Sequence, residues 1–381
     1  MRLGIVRQRY TPFGGAERFV ERAIDALVAR GVHVRVYTRK WPQERKGSIE
    51  PVICNPFHIG SLWRDASFAA AVRAALARDR PDIVQSHERI AGCDIFRAGD
   101  GVHRVWLEER LRTGGRVERA RIAANPYHRY VLDAEARMFA SPSLKAVICI
   151  SQMVKDDVQR HFTLPDDRLH VIYNAVDPRE FSPAVQVNRA ATRAELGLAD
   201  ADVAFLSVGS GYARKGVATA IRALARLPRT ARLVVVGKDK SPARYRRLAQ
   251  RAGVADRVVF AGPRTDPRPF LGAADAFVLP TLYDPLSNAV LEALACGLPV
   301  VTSTRCGAGE LVVAHAAGWT CEATDDAAFA ERMRALLDPG ERARRAAGAL
   351  AAVAPLTPEN MTRRLLDLYD TVLGRPGLAG L

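Results

Sequence analysis

One order of elements occurs twice in this chain, and it restricts the fold more than any other feature. Leu3–Val6 is a short apolar run. After a loop, Phe19, Val20, Ala23, Ile24, Leu27 and Val28 recur at helical spacing. Gly31 closes that helix, and the alternating segment VHVRVYT (32–38) reads as the next strand. Strand, helix and strand in this order form a βαβ unit, with a right-handed crossover and a parallel sheet. Further strands are predicted at 82–86, 94–98, 146–151 and 169–177. At residue 203 the pattern restarts. VAFLSVG is a strand, SGYARKG a loop, VATAIRALARL a helix and ARLVVVG the next strand, followed by RVVFAG and Ala274–Pro280.

The chain has 381 residues, and domains of about 100–200 residues make two the expectation. The class is α/β, with two Rossmann-like domains. The first is expected over 1–177 and the second over 202–355, joined by a polar linker, 178–201. A C-terminal helix over 356–381 is expected to pack back on the first domain. Open parallel sheets bind ligands beyond the carboxyl ends of their strands, so the two sheets are expected to face a central cleft.

Three segments at predicted strand ends carry candidate chemistry. Gly14-Gly15 follows the first strand and opens a helix. Glycines let an anion approach the free N–H groups of a helix start, although a plain tight turn needs the same residues. GSGYARKG (209–216) puts Arg214 and Lys215 at a strand–helix junction, as a diphosphate site or an exposed basic loop. The third segment is PTLYDPLSNAVLEALACGLPVVTS (280–303). Asp284 lies in its loop, Ser287 or Asn288 caps a helix, and Glu292 follows Asp284 by eight positions. Amides at Ser287, Asn288 and Ala289 suit an anion, while carboxylates beside them suit sugar hydroxyls. Phosphate donors next to hydroxyl acceptors are what a nucleotide sugar requires.

The carboxylate-x7-Glu spacing ahead of LEALACGLPVV, the diglycine, the RKG loop and VIYNAVD (171–177) resemble the retaining glycosyltransferases of family 4, whose fold is GT-B. The resemblance runs along nearly the whole chain. Within the family, YTPFGGAERFVERAIDALVARGVHVRVYTRKW and GSGYARKGV are most similar to the lipopolysaccharide core glucosyltransferase I group, which adds glucose from UDP-glucose to an inner-core heptose. The resemblance implies that Gly14 and Gly15 meet the donor phosphates, that Arg214 and Lys215 hold the diphosphate, and that Glu292 accepts the ribose hydroxyls. Asp284 is placed by the donor sugar, with Ser287, Asn288 and Ala289 after it, and Arg264 joins the donor-binding set. Asp100, in FRAGDGVH, is placed near the anomeric carbon, or else is a loop carboxylate capping a turn. His103, Glu88 and Arg89 are acceptor-side candidates or solvated groups. Two departures stand out. Asp284 replaces the usual Glu. Ser210 stands where more distant members carry Arg, a departure shared with the core glucosyltransferase group. The implied function is a UDP-sugar-dependent hexosyltransferase acting on lipopolysaccharide. The alternative is another UDP-sugar and another lipid-linked acceptor.

Charge bears on partners. Lys and Arg number 56 against 41 Asp and Glu, a net +15, which calls for an acidic partner. No nucleic-acid reading module is present. Seven arginines fall between Arg104 and Arg129, with Trp106, Tyr127 and Tyr130 interspersed, and RKWPQERK (39–46) adds more. Such a segment suits an anionic membrane surface, or is a solvated face. No apolar run reaches the roughly 20 residues of a spanning helix, and the start lacks the pattern of a signal peptide. A cytoplasmic protein, peripheral at the inner face of the membrane, is expected. Six cysteines without a C-x-x-C pair argue against zinc and against a disulfide framework. The Asp-Ala-Asp at 200–202 precedes a strand, the wrong end of the sheet for a metal at the cleft. The expectation is therefore a metal-independent enzyme without a cofactor, with the UDP-sugar as substrate.

Overall fold

The computed structural model describes residues 1–9, 27–28, 31–41 and 49–374. Gly14 and Gly15 lie outside the described residues, as does most of the helix expected before Gly31. The chain forms two compact units, Met1–Ala175 with Pro358–Leu381, and Val176–Thr357.

Among the described residues the first unit is built on seven strands: β1 (Arg2–Val6), β2 (His33–Thr38), β3 (Ile49–Ile53), β4 (Ile83–Ser86), β5 (Ile95–Ala98), β6 (Ala146–Cys149) and β7 (Leu169–Val171). They pair in the order β3-β2-β1-β4-β5-β6-β7, all parallel. Its helices are α1 (Gly60–Arg78), α2 (His103–Thr113), α3 (Arg116–Ala124), α4 (Pro126–Phe139) and α5 (Gln152–His161). The sheet is covered on both faces, so its central strands read as continuous apolar runs. Val6, Tyr37 and Val84 meet Phe68, Val72 and Leu76 of α1.

The second unit has α6 (Arg189–Glu195), β8 (Val203–Val208), α7 (Val217–Ala225), β9 (Ala231–Val236), α8 (Pro242–Arg251) and β10 (Val258–Gly262). Then come α9 (Arg268–Ala273), β11 (Ala276–Leu279), α10 (Asn288–Ala295), β12 (Val300–Ser303), α11 (Gly309–Ala314), β13 (Gly318–Cys321), α12 (Asp326–Ala335) and α13 (Pro339–Val353). Its six strands are parallel in the order β10-β9-β8-β11-β12-β13. The last helix, α14 (Pro358–Leu373), belongs to the first unit. Its Met361, Leu365, Leu366 and Tyr369 pack against Leu3, Ile5 and Ile83 on the sheet face opposite α1.

The stretch 178–201, expected to be a linker, is instead part of the second unit. Pro183–Asn188 forms a 3-10 helix, and this turn and α6 both pack on α9. Arg193, 5% exposed, donates to the carbonyls of Ala199, Asp202 and Ala273 and to Asp275 Oδ2 at 3.2 Å. Arg189 donates to Asp275 Oδ1 at 2.6 Å. Its polar residues read as solvated in the sequence, yet two of its arginines are the bolts. In the Asp-Ala-Asp motif, Asp202 pairs with Arg232 at 3.0 Å and accepts the Ala199 N–H, which is a structural role.

Removing Arg193 strips a donor from three carbonyls and leaves Asp275 with Arg189 as its remaining cation, and breaking a buried ion network of this kind costs about 3–5 kcal/mol. Arg193→Leu should therefore lower the urea midpoint of the second unit by a corresponding amount. An unchanged midpoint would return 178–201 to the status of a linker.

Candidate functional site

In the second sheet β8 lies between β9 and β11, so strand order reverses beside it. The loops after β8 and β11 leave the carboxyl edge side by side, where open α/β sheets bind ligands. Those loops carry Arg214, Lys215 and Asp284. Lys215 Nζ donates to Asp284 Oδ2 at 2.5 Å, with both residues over nine-tenths buried. Arg214 Nη1 lies 3.7 Å from the same oxygen and its side chain is 39% exposed.

Two glycines make this approach possible. Gly209 has φ +151°, and a Cβ there would fall 2.7 Å from Lys215 Cε, so the lysine chain runs across the bare backbone. Gly216 has φ +70°, and its Cβ would fall 1.8 Å from the Pro280 carbonyl oxygen. The Arg214 carbonyl accepts the Leu282 N–H at 2.8 Å and the Thr281 hydroxyl at 3.0 Å. Asp284 is fixed in turn by the next loop: its N–H donates to the Arg305 carbonyl and its carbonyl accepts the Gly307 N–H, both at 2.9 Å.

Ser287 stands at the N-cap of α10 but makes no cap bond. Its Oγ, in a residue 2% exposed, has no hydrogen-bond partner. The capping expected of this serine is therefore not seen. Asn288, Ala289 and Glu292 are half-buried, while Val290, Leu291 and Ala293 face the core. Arg264 is not brought to this cluster. It donates to the Ala261 carbonyl, lies over the Phe270 ring with 5.4 Å to the centroid, and sits 3.7 Å from Glu195.

In the first unit β1 lies between β2 and β4, giving a second reversal. A cavity of about 210 Å³ opens at these strand ends, lined by Gln8, Arg64, Asp65, Glu88, Arg89, Asp100 and Tyr127 among others. Asp100 and Glu88 thus share one space. Burial raises the Glu88 carboxyl above its usual range, opposed by Arg7 and by the Gln8 N–H. Arg89 lines the wall but is committed to structure. It donates to Glu135 Oε1 at 2.8 Å and to the Gly101 carbonyl at 3.1 Å. Glu135, 1% exposed, also accepts the His103 N–H. His103 does not line the cavity: its ring lies 3.2 Å from His128 Nδ1, between α2 and α4.

Gln8, Arg64, Asp65 and Tyr127 were not singled out as site residues from the sequence. Asp65 accepts from Gln8 Nε2 at 2.9 Å, from Arg64 Nε at 2.6 Å and from the Tyr127 hydroxyl at 2.8 Å. Burial opposes its charge, but these donors outweigh it and hold the carboxyl below the usual range. Burial, helped by Asp65, pushes the Tyr127 hydroxyl up to about 12. Only Tyr127 carried a sequence signal, as an aromatic within the basic stretch.

Residues 13–180 match the family described as Glycosyltransferase Family 4, and residues 188–349 match Glycosyl transferases group 1. The lipopolysaccharide glucosyltransferase WaaG of Escherichia coli (strain K12) is 30% identical over 304 residues, 78% of this chain and 79% of that protein. The lipopolysaccharide core biosynthesis glycosyltransferase LpsE of Rhizobium meliloti (strain 1021) is 36% identical over 300 residues, 77% of this chain and 76% of that protein. The chain belongs to the family 4 glycosyltransferases. The crystal structure of WaaG, a glycosyltransferase involved in lipopolysaccharide biosynthesis, matches with a TM-score of 0.80 at 26% identity, covering 95% of this chain and 99% of that one. The two parallel-sheet α/β units are those of the GT-B fold.

Two histidines of this glycosyltransferase are held neutral. His87, 7% exposed, is kept well below its usual range by burial, then by Arg97 and Arg7. Burial pushes His103 down to about 3 from 6.5, with Arg89, His128 and Arg110 adding to it. Such a group binds fewer protons folded than unfolded between these values, so stability falls as pH drops from 6.5 toward 3. His103→Gln should flatten that loss in a series of thermal midpoints against pH. An unaltered acid slope would remove His103 as a contributor.

Proposed function

We propose that this glycosyltransferase moves a hexose, glucose first among the candidates, from a UDP-sugar onto a heptose of the lipopolysaccharide inner core, with retention at the anomeric carbon. The observation that carries the reading is the Arg214–Lys215–Asp284 group beside the start of α10. It joins cations for a diphosphate to carboxylates for hydroxyls within two adjoining loops. The names of WaaG and LpsE support the choice of acceptor.

In this reading Lys215 and Arg214 turn to the diphosphate, and Asp284 exchanges Lys215 for a hydroxyl of the donor sugar. Ser287 Oγ and the amides of Asn288 and Ala289 receive the anion, and Glu292 accepts the ribose hydroxyls. Gly14 and Gly15 are assigned to the donor phosphates and Asp100 to the reacting carbon, with Glu88 on the acceptor side. The acceptor oxygen bonds to the anomeric carbon as the bond to the diphosphate breaks. The acceptor proton passes to a phosphate oxygen of the leaving group. The cations and oriented amides stabilise the charge that develops there, in place of a divalent metal, and no cofactor is required. Among the described residues no helix is long and apolar enough to cross a membrane. We assign the enzyme to the cytoplasmic face of the inner membrane, held there through the Arg-rich segment 104–130.

A panel of nucleotide sugars tests the donor. Ligand binding stabilises by mass action, so UDP-glucose should raise the thermal midpoint most; a larger shift from another UDP-sugar would replace glucose. Lys215→Ala should lower turnover about 10²–10³-fold if it clamps the departing charge, and turnover within about twofold of wild type would confine the loop to a structural role. Transfer should persist in EDTA. Activity lost on chelation and restored by magnesium or manganese would overturn the metal-independent reading.

A further inference from the structure

Among the described residues nine large apolar side chains are exposed, and five of them fall between Ile53 and Trp63: Ile53, Phe57, Ile59, Leu62 and Trp63. Phe57 is 75% exposed, Ile59 70% and Trp63 47%. Phe57 and Trp63 stand edge to face, with ring centroids 5.6 Å apart. The segment joins the end of β3, the edge strand of the first sheet, to the start of α1. Clustering of this kind on a charged protein marks a contact surface rather than scattered surface apolar residues.

The loop is held from below. Arg39, 5% exposed, donates to Asn55 Oδ1, the Pro56 carbonyl, the Arg64 carbonyl and Ser67 Oγ. Phe57 and Ile59 are presented outward over that anchor. Ile59 also occupies the N-cap of α1 and makes no cap bond. Asp or Ser there would stabilise the helix, so an exposed isoleucine at this position gains nothing for the fold.

The surroundings point to one kind of occupant. No acidic residue lies between residues 51 and 64, and Glu50 before them is paired with Arg35. Exposed Lys40 follows the anchoring Arg39, His58 lies within the cluster, and Arg64 after it is paired with Asp65. Asp65 is turned inward to Gln8 and Tyr127. Trp with cations at its edge is the composition of a side chain at the boundary between acyl chains and headgroups. The cluster is also next to the cavity with Asp100: Arg64 and Asp65, the residues after Trp63, line it. Across the cavity the Tyr127–Asp65 bond ties α1 to α4, the helix that continues the Arg-rich segment.

We propose that Phe57, Ile59, Leu62 and Trp63 insert into an anionic lipid surface and set the mouth of the Asp100 cavity against it. The proposal rests on the lipid-linked acceptor inferred above. It adds an apolar, salt-resistant contact to the electrostatic one assigned to 104–130, and it places the acceptor's anchor beside the cavity that takes its sugar.

The test is co-sedimentation of the full chain with vesicles of phosphatidylethanolamine and phosphatidylglycerol, at low salt and at about 1 M salt, where the Debye length falls to about 3 Å. Wild type should stay partly bound at high salt. The Phe57→Ser/Trp63→Ser variant should lose that fraction at least about tenfold, as burial of two aromatic side chains implies, with its UDP-glucose thermal shift intact. Ile59→Asp should raise the thermal midpoint while weakening binding, which separates the contact from folding. Brominated acyl chains should quench wild type more than Trp63→Phe. Binding abolished by salt in wild type would overturn the proposal, as would equal high-salt binding by the double variant. A dimer in analytical ultracentrifugation that the double variant splits would make the cluster a self-association face instead. The functional reading fails separately, if no nucleotide sugar shifts any of these proteins.

Discussion

A parallel sheet with helices on both faces buries every side chain along its central strands, so polar chemistry is confined to the strand ends. β4, β5 and β6 are buried at every position, and β8 at all but its last. Charge that a ligand can reach then stands in the loop beyond each strand, whereas Arg97 within β5 is 2% exposed. The reversal of strand order at β1 and at β8 opens a gap between two such ends in each unit. Gln8, Glu88 and Asp100 occupy one gap, and Lys215 and Asp284 the other.

The second gap was legible in the sequence because each of its parts is local. The glycines at 209 and 216 bracket Arg214 and Lys215, and the helix after Asp284 carries Glu292 at a fixed offset. The structure adds that the two loops touch, leaves Arg264 outside them and shows Ser287 without its cap bond. The first gap was legible in part. Asp100 and Glu88 follow predicted strands, but Arg64 and Asp65 lie on α1 and Tyr127 on α4, helices whose relation depends on tertiary packing. Nothing in their spacing announces that Tyr127 will reach Asp65. The stretch 178–201 failed for a related reason. Arginines in a polar run read as solvated, and Arg193 finds the Ala273 carbonyl and Asp275 only once α9 is in place.

Part of the net +15 is likewise interior. Arg39 anchors a loop, Arg97 in β5 is 2% exposed and pushed down to about 9 by burial and by Arg7, and Arg193 ties α6 to its unit. Within 104–130, Arg110 pairs with Glu118 and Arg112 with Glu109. Exposed pairs of this kind contribute little to stability, yet they reduce the charge a membrane would meet. Net charge alone therefore overstates electrostatic attachment, and an apolar contribution from the Phe57–Trp63 cluster would supply what the remaining arginines do not.

Lys215 and Asp284 bear on how a donor enters. A buried pair is stabilising only while both members are matched, since each charge has given up its water. In the proposed reading an arriving diphosphate would offer Lys215 a second anion and leave Asp284 with less of its partner. Asp284 would then be an acceptor in need of a donor, and a sugar hydroxyl is one. Under that proposal, binding of the phosphates and recognition of the sugar would be a single exchange rather than two independent contacts. In that reading the side chain at 284, one methylene shorter than the usual Glu, would hold a sugar hydroxyl nearer the loop backbone, so its length would bear on donor specificity as well as on its 2.5 Å bond to Lys215.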